Sequence, residues 1–208
     1  MMEEDKLLVQ KFFKHGTIEG NLKKYPELCK DKDFMLKVIT RRSDLLKYAS
    51  KELLDDKDFM LKVITEAVDF DILKQFPDKW KGDKEFMLVV ANKKSFGVEY
   101  ASKELLADKD FMLKIVKISG ENLSYASDKL KADKEVVMEA VKNDGCALEY
   151  ASEKLKSDKE IALEAIKQNY EALKLVSTEL DSNKEFNKEQ IVKKAKEQLE
   201  EEDELFLD

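Results

Sequence analysis

The sequence predicts an all-α protein, an α-solenoid (right-handed superhelix or arc) of about six 25-residue helical hairpins plus capping helices. Three markers in one phase predict it. The triplet Asp-Lys-Asp/Glu begins at Asp31, Asp56, Asp83, Asp108, Asp133 and Asp158, with spacings of 25, 27, 25, 25 and 25 residues. Asn183-Lys184-Glu185 is a degenerate seventh copy. Tyr-Ala-Ser recurs at Tyr48, Tyr100, Tyr125 and Tyr150, with Leu175-Val176-Ser177 as a weaker version. A large apolar residue stands three positions before each triplet, at Leu28, Leu53, Trp80, Leu105, Leu130, Leu155 and Leu180.

The elements follow in chain order. Residues 5–30 read as an eroded repeat, with a first helix carrying Leu7, Leu8, Val9, Phe12 and Phe13 and stopping at Gly16. Ile18 to Cys29 would be its second helix. Residues 31–182 hold the six repeats, each predicted as two helices. In the Asp133 copy, Asp is a favoured N-cap and Glu135 places an acid in the first turn. Val136, Val137, Met138, Ala140 and Val141 then cover an arc of about 200°, wider than a surface stripe. The helix should stop at Asn143-Asp144-Gly145, and a second should run to Ser157 with Ala147, Leu148, Tyr150, Ala151 and Leu155 on one face. One such repeat buries too little to offset its chain entropy, so neighbours must stack. Residues 183–202 are expected to form a polar capping helix, and 203–208 an acidic tail. Residues 1–202 thus read as one domain.

Charged residues are 40% of the chain, against about 25% in an average soluble protein, yet 43% are apolar, enough for a core. The net charge is −7, of which −4 falls after residue 182 (five Lys against nine acids). Without a basic excess, nucleic acid is a disfavoured partner. The two cysteines, Cys29 and Cys146, form no framework, and the acidic start Met1-Met2-Glu3-Glu4-Asp5 has no apolar signal core. The longest apolar run is Phe86–Ala91, far short of a membrane span. A reducing, cytoplasmic setting is the expectation, with signal-less secretion as the alternative, and a monomer is expected.

The run Asp133-Lys-Glu-Val-Val-Met-Glu-Ala-Val-Lys-Asn-Asp-Gly-Cys-Ala-Leu-Glu-Tyr-Ala-Ser152 and its partner Asp158-Lys-Glu-Ile-Ala-Leu-Glu-Ala-Ile-Lys-Gln-Asn169 resemble the repeat called domain of unknown function 4116. The resemblance covers about residues 31–182 and implies tandem all-α repeats. It carries no chemistry. The copies at Asp31, Asp83 and Asp108 depart with Phe-Met-Leu, and the Asp56 copy departs most, with Gln75-Phe76-Pro77 in place of Tyr-Ala-Ser.

No residue set points to catalysis or to a cofactor. His15 is the only histidine, without a partner for acid–base or zinc chemistry. The triplets lack the alternating ligands and glycine of a calcium loop and fit helix caps instead. No glycine-rich phosphate loop or nucleophile elbow occurs. The tyrosine row could stack bases, but periodic aromatics in stacked repeats usually pack. Divergence between copies concentrates in the turns, where Arg41, Arg42, Lys93, Lys94, Lys117, Lys142 and Lys167 should form a locally basic edge. Dipole compensation at helix ends accounts for such cations, and a partner-binding edge is the functional alternative. The expected function is a non-enzymatic scaffold for another protein. The alternatives are a partner-inhibiting, effector- or immunity-type binder, or a weak RNA-binding repeat.

Overall fold

The structure is a computed structural model that describes residues 17–67, 70–93 and 95–177. Every regular element among them is helical, and no strand occurs among the described residues. The expected helices over 7–13 and 183–202, the tail 203–208, His15 and Lys94 lie outside them.

Each of the five repeats from Asp31 to Asp133 has three helical segments, which corrects the expected two. In the Asp133 repeat these are Lys134–Asn143, a 3₁₀ helix Gly145–Tyr150, and a short α-helix Glu153–Lys156. The predicted second helix breaks at Tyr-Ala-Ser because Ala151 and Ser152 are extended, with ψ of 156° and 151°. At the same place in other repeats Ser50 and Ser102 accept from the N–H three residues on, the serine N-cap that a helix interior would not allow, whereas at Ser152 the break is made by the extended backbone without a side-chain cap. The triplet is therefore a hinge between helices and not part of one. The N-terminal repeat breaks likewise, with Ile18–Lys24 followed by a 3₁₀ helix Pro26–Lys30.

The chain divides into two units, Met1–Val89 and Val90–Asp208. In the first, Thr17 caps Ile18–Lys24, and the Asp31 repeat follows as Lys32–Arg41, Ser43–Tyr48 and Lys51–Asp55. The Asp56 repeat is Lys57–Glu66, Phe70–Gln75 and Asp78–Lys81. The long helices of these two repeats pack on each other, and so do their 3₁₀ segments. In the second unit Lys109–Ile118, Lys134–Asn143 and Lys159–Gln168 pack in series. The 3₁₀ segments Ser95–Tyr100, Gly120–Tyr125, Gly145–Tyr150 and Tyr170–Leu175 pack in the same order.

Four positions of each long helix build the core, as in Phe34, Met35, Val38 and Ile39, or Val136, Val137, Ala140 and Val141, all at most 5% exposed. At 100° per residue they span about 140°. This is narrower than expected because Met138 is only half-buried. The second face of the core comes from the 3₁₀ pairs Leu45-Leu46, Ile72-Leu73 and Ala147-Leu148, and from Leu53, Trp80, Leu130 and Leu155 on the short helices.

Two glycines set how closely neighbouring repeats approach. A Cβ at Gly120 would lie 2.5 Å from the Ala140 carbonyl oxygen, and one at Gly145 would lie 2.3 Å from that of Ala165. Each glycine opens the 3₁₀ helix of one repeat, and each alanine lies on the long helix of the next. In the same register the Asp31 repeat has Ser43 and its successor has Val63, larger at both places.

Candidate functional site

The triplet does two jobs. Its Asp caps its own helix: Asp31, Asp56, Asp83 and Asp108 accept from the backbone N–H three residues on, at 2.7–2.9 Å. Asp133 and Asp158 accept from two successive N–H groups each. Its Lys reaches the cap of the following repeat. Lys57 bridges Asp83 at 3.0 Å and Glu85 at 3.1 Å. Lys109 meets Asp133 and Glu135, both at 2.8 Å. Lys134 meets Asp158 at 2.9 Å and Glu160 at 2.7 Å, and Lys32 bonds to Asp56. The Lys32 ammonium and the Phe59 N–H hold the Asp56 carboxyl below its ordinary range. At Asp133 and Asp158 burial pushes the other way, but the lysine and the backbone N–H groups prevail and the pKa is lowered. Helix capping thus accounts for the triplets, and the lysine ladder between repeats is a role the sequence reading missed. The signal was present, because a Lys one residue after every cap has no use within its own helix.

A second joint is made by backbone. The N–H groups of Ser50, Ser127, Ser152 and Ser177 donate to the carbonyls of Cys29, Leu106, Lys131 and Lys156 in the preceding repeat, at 2.8–3.2 Å. In the Asp56 repeat the equivalent residue is Pro77, which has no N–H. There the equivalent carbonyl, that of Leu54, accepts from Trp80 Nε1–H at 2.8 Å. The only tryptophan of the chain therefore replaces the missing donor. Its ring centroid lies 5.2 Å from that of Phe86, and that of Phe76 lies 5.7 Å from Phe86.

The described cations of the expected turn edge are exposed, but several have internal counter-charges. Arg42 holds Asp44 with two bonds, Nε at 3.1 Å and Nη2 at 2.8 Å, and reaches Glu19 at 2.6 Å. Lys117 and Lys142 share one carboxylate, Glu139, at 3.4 and 3.3 Å. That carboxylate is lowered first by Lys142 and then, against some desolvation, by Lys117. Arg41 and Lys93 end their helices and are also engaged within the chain. Lys167 has no ion pair among the described residues. Thr40, Arg41, Arg42, Asp44 and Ala67 line a half-open cleft of about 340 Å³ in the first unit.

Tyr48, Tyr100, Tyr125 and Tyr150 end their 3₁₀ segments and are half-buried. Burial, then Glu99 and Glu121, push the Tyr125 phenol up. Burial, then Glu149, Glu121 and Asp144, do the same at Tyr150. Cys29 and Cys146 are free thiols raised by burial, the opposite of an activated nucleophile. Among the described residues no group of three or more His, Cys, Asp or Glu could hold a metal ion. No helix among them is long and apolar enough to cross a membrane. The large apolar side chains exposed among them are Val89 and Tyr170.

A family model described as a domain of unknown function (DUF4116) matches residues 31–81, 83–131, 108–156, 133–181 and 158–198. No curated protein and no solved structure matches the chain.

Proposed function

This chain belongs to the DUF4116 family, and from that premise we propose that it is a non-enzymatic scaffold whose repeats stack as an α-solenoid to hold another protein. The observation that carries the reading is the separation of joint from surface. The lysine bridge and the carbonyl joint recur from repeat to repeat, while the turn residues between long helix and 3₁₀ segment differ in every copy. A framework whose joints recur while its exposed turn residues differ is suited to recognition. Apolar side chains are spent on packing between repeats, so recognition would be polar and would set orientation and on-rate.

The turn cations are proposed contacts within each unit, Arg41 and Arg42 in the first and Lys93, Lys94, Lys117, Lys142 and Lys167 in the second, for acidic groups able to compete with Glu19, Asp44 and Glu139. The carboxylates beside Tyr125 and Tyr150 would repel phosphates, which favours a protein partner over RNA. The test is affinity isolation of the tagged chain from its native cells. A stoichiometric protein partner, lost at high salt, is expected. Isolation of RNA alone, or of the bare chain at low salt, would contradict the reading.

A further inference from the structure

We propose that the tyrosine face of the second unit is a docking surface for an extended Lys- or Arg-rich segment of a partner protein. The inference deepens the scaffold reading and rests on it. The 3₁₀ segments Ser95–Tyr100, Gly120–Tyr125 and Gly145–Tyr150 lie in series, and each ends on its tyrosine.

The chain itself displays what such aromatics take. In the first unit the residue preceding the ring is a lysine folded over it. Lys47 Nζ stands 5.3 Å from the Tyr48 centroid, Lys24 Nζ 5.3 Å from that of Tyr25, and Lys79 Nζ 4.5 Å from that of Trp80. These distances are within cation–π range. In the second unit the same place holds Glu99, Ser124 and Glu149 before Tyr100, Tyr125 and Tyr150. No cation lies over Tyr125 or Tyr150 among the described residues.

The charge pattern changes at the same places. The Asp56 and Asp158 repeats close their 3₁₀ faces with internal pairs, Lys74 with Asp71 and Lys174 with Glu171. Glu99, Glu121 and Glu149 are exposed and have no ion pair among the described residues. Their field reaches the rings: Glu121 acts on both Tyr125 and Tyr150, and Glu99 on Tyr125. Where the chain supplies its own ammonium the face is closed. At Tyr125 and Tyr150, where no described cation lies over the ring, the exposed carboxylates Glu99, Glu121 and Glu149 stand near enough to act on the half-buried phenols. A cationic segment from another chain fits that vacancy of charge, with its ammonium or guanidinium groups over the rings and between the carboxylates.

The probe is fluorescein-labelled octa-arginine, titrated into the full chain at low salt and followed by anisotropy. Ser124→Lys with Glu149→Lys copies the lysines of the first unit onto the tyrosine face. Glu27→Lys with Glu66→Lys is the control, a larger change in net charge at exposed sites elsewhere. Thermal melts confirm that both pairs fold. The wild type and control should bind, and the Ser124/Glu149 pair should bind at least about tenfold more weakly. Tyr125→Leu with Tyr150→Leu keeps every charge and should lose severalfold. Absence of wild-type binding, equal loss in the control, or tight binding by either face variant would overturn the proposal. If octa-arginine fails to bind but a native partner is still captured, the scaffold stands and this surface does not.

Discussion

At the junction after Lys131 a backbone N–H, that of Ser152, reaches the carbonyl at 2.9 Å, whereas at the junction after Leu54 the same carbonyl position takes the indole N–H of Trp80 at 2.8 Å. The first junction has Ser, Ala151 and Leu155 around the bond, and the second has Pro77, Phe76 and Trp80. Three substitutions that look unrelated in sequence thus form one compensated change. Proline removes the donor, tryptophan supplies another, and the phenylalanine fills beside Phe86. What the repeats keep in common is the satisfied carbonyl, since an unpaired partly buried acceptor is costly.

The comparison can be broken at Trp80 first. Trp80→Leu, the residue usual at that place, should cost about 3 kcal/mol in urea denaturation, from lost ring burial and an orphaned Leu54 carbonyl. Adding Pro77→Ser should recover a large part of that loss, because it restores the backbone donor. A double-mutant cycle with no coupling would separate the two residues.

The next effect lies at the glycine junctions. Gly145→Ser should cost about 1–3 kcal/mol through overpacking against the Ala165 carbonyl, although serine is native at the equivalent Ser43. Asp133→Ala should cost about 1 kcal/mol from the lost cap, read from the shift in denaturation midpoint.

The smallest effect is graded by pH. The Asp56, Asp133 and Asp158 carboxyls are lowered in the folded chain. Their contribution is therefore fully present above the ordinary carboxylate pKa of about 4 and is lost as the pH falls through the lower folded values. Thermal midpoints should hold from neutrality down to that range and then drop. Lys109→Met and Lys134→Met should shrink the drop.

The period, the caps and the core positions were legible in the sequence because each follows from one residue type at one spacing. Asp at a helix start and apolar residues three, four, seven and eight positions later leave little choice. The break inside the predicted second helix was less legible. Apolar spacing alone does not separate an α-helix from a six-residue 3₁₀ run, and the mark in the sequence is the serine at each break, whose side chain caps the next helix at Ser50 and Ser102 but not at Ser127 or Ser152. The turn cations were found by residue type, and the Lys142–Glu139 pair is local, but Glu19 beside Arg42 and Glu139 beside Lys117 lie in other segments and are invisible to a local reading. Trp80 stood out only as the large residue before a triplet. Its polar edge mattered, and that required knowing which carbonyl Pro77 had left open.

The most direct test of repeat-by-repeat joining is excision of residues 133–157, which places Asp158 directly after Ala132. The cut sets Gly120 opposite Ala165 and Lys109 opposite Asp158 and Glu160, so every joint finds its proper counterpart. Circular dichroism should then show unchanged helix per residue and one cooperative melt. A shortened chain that is unfolded, or that melts without cooperativity, would contradict the account.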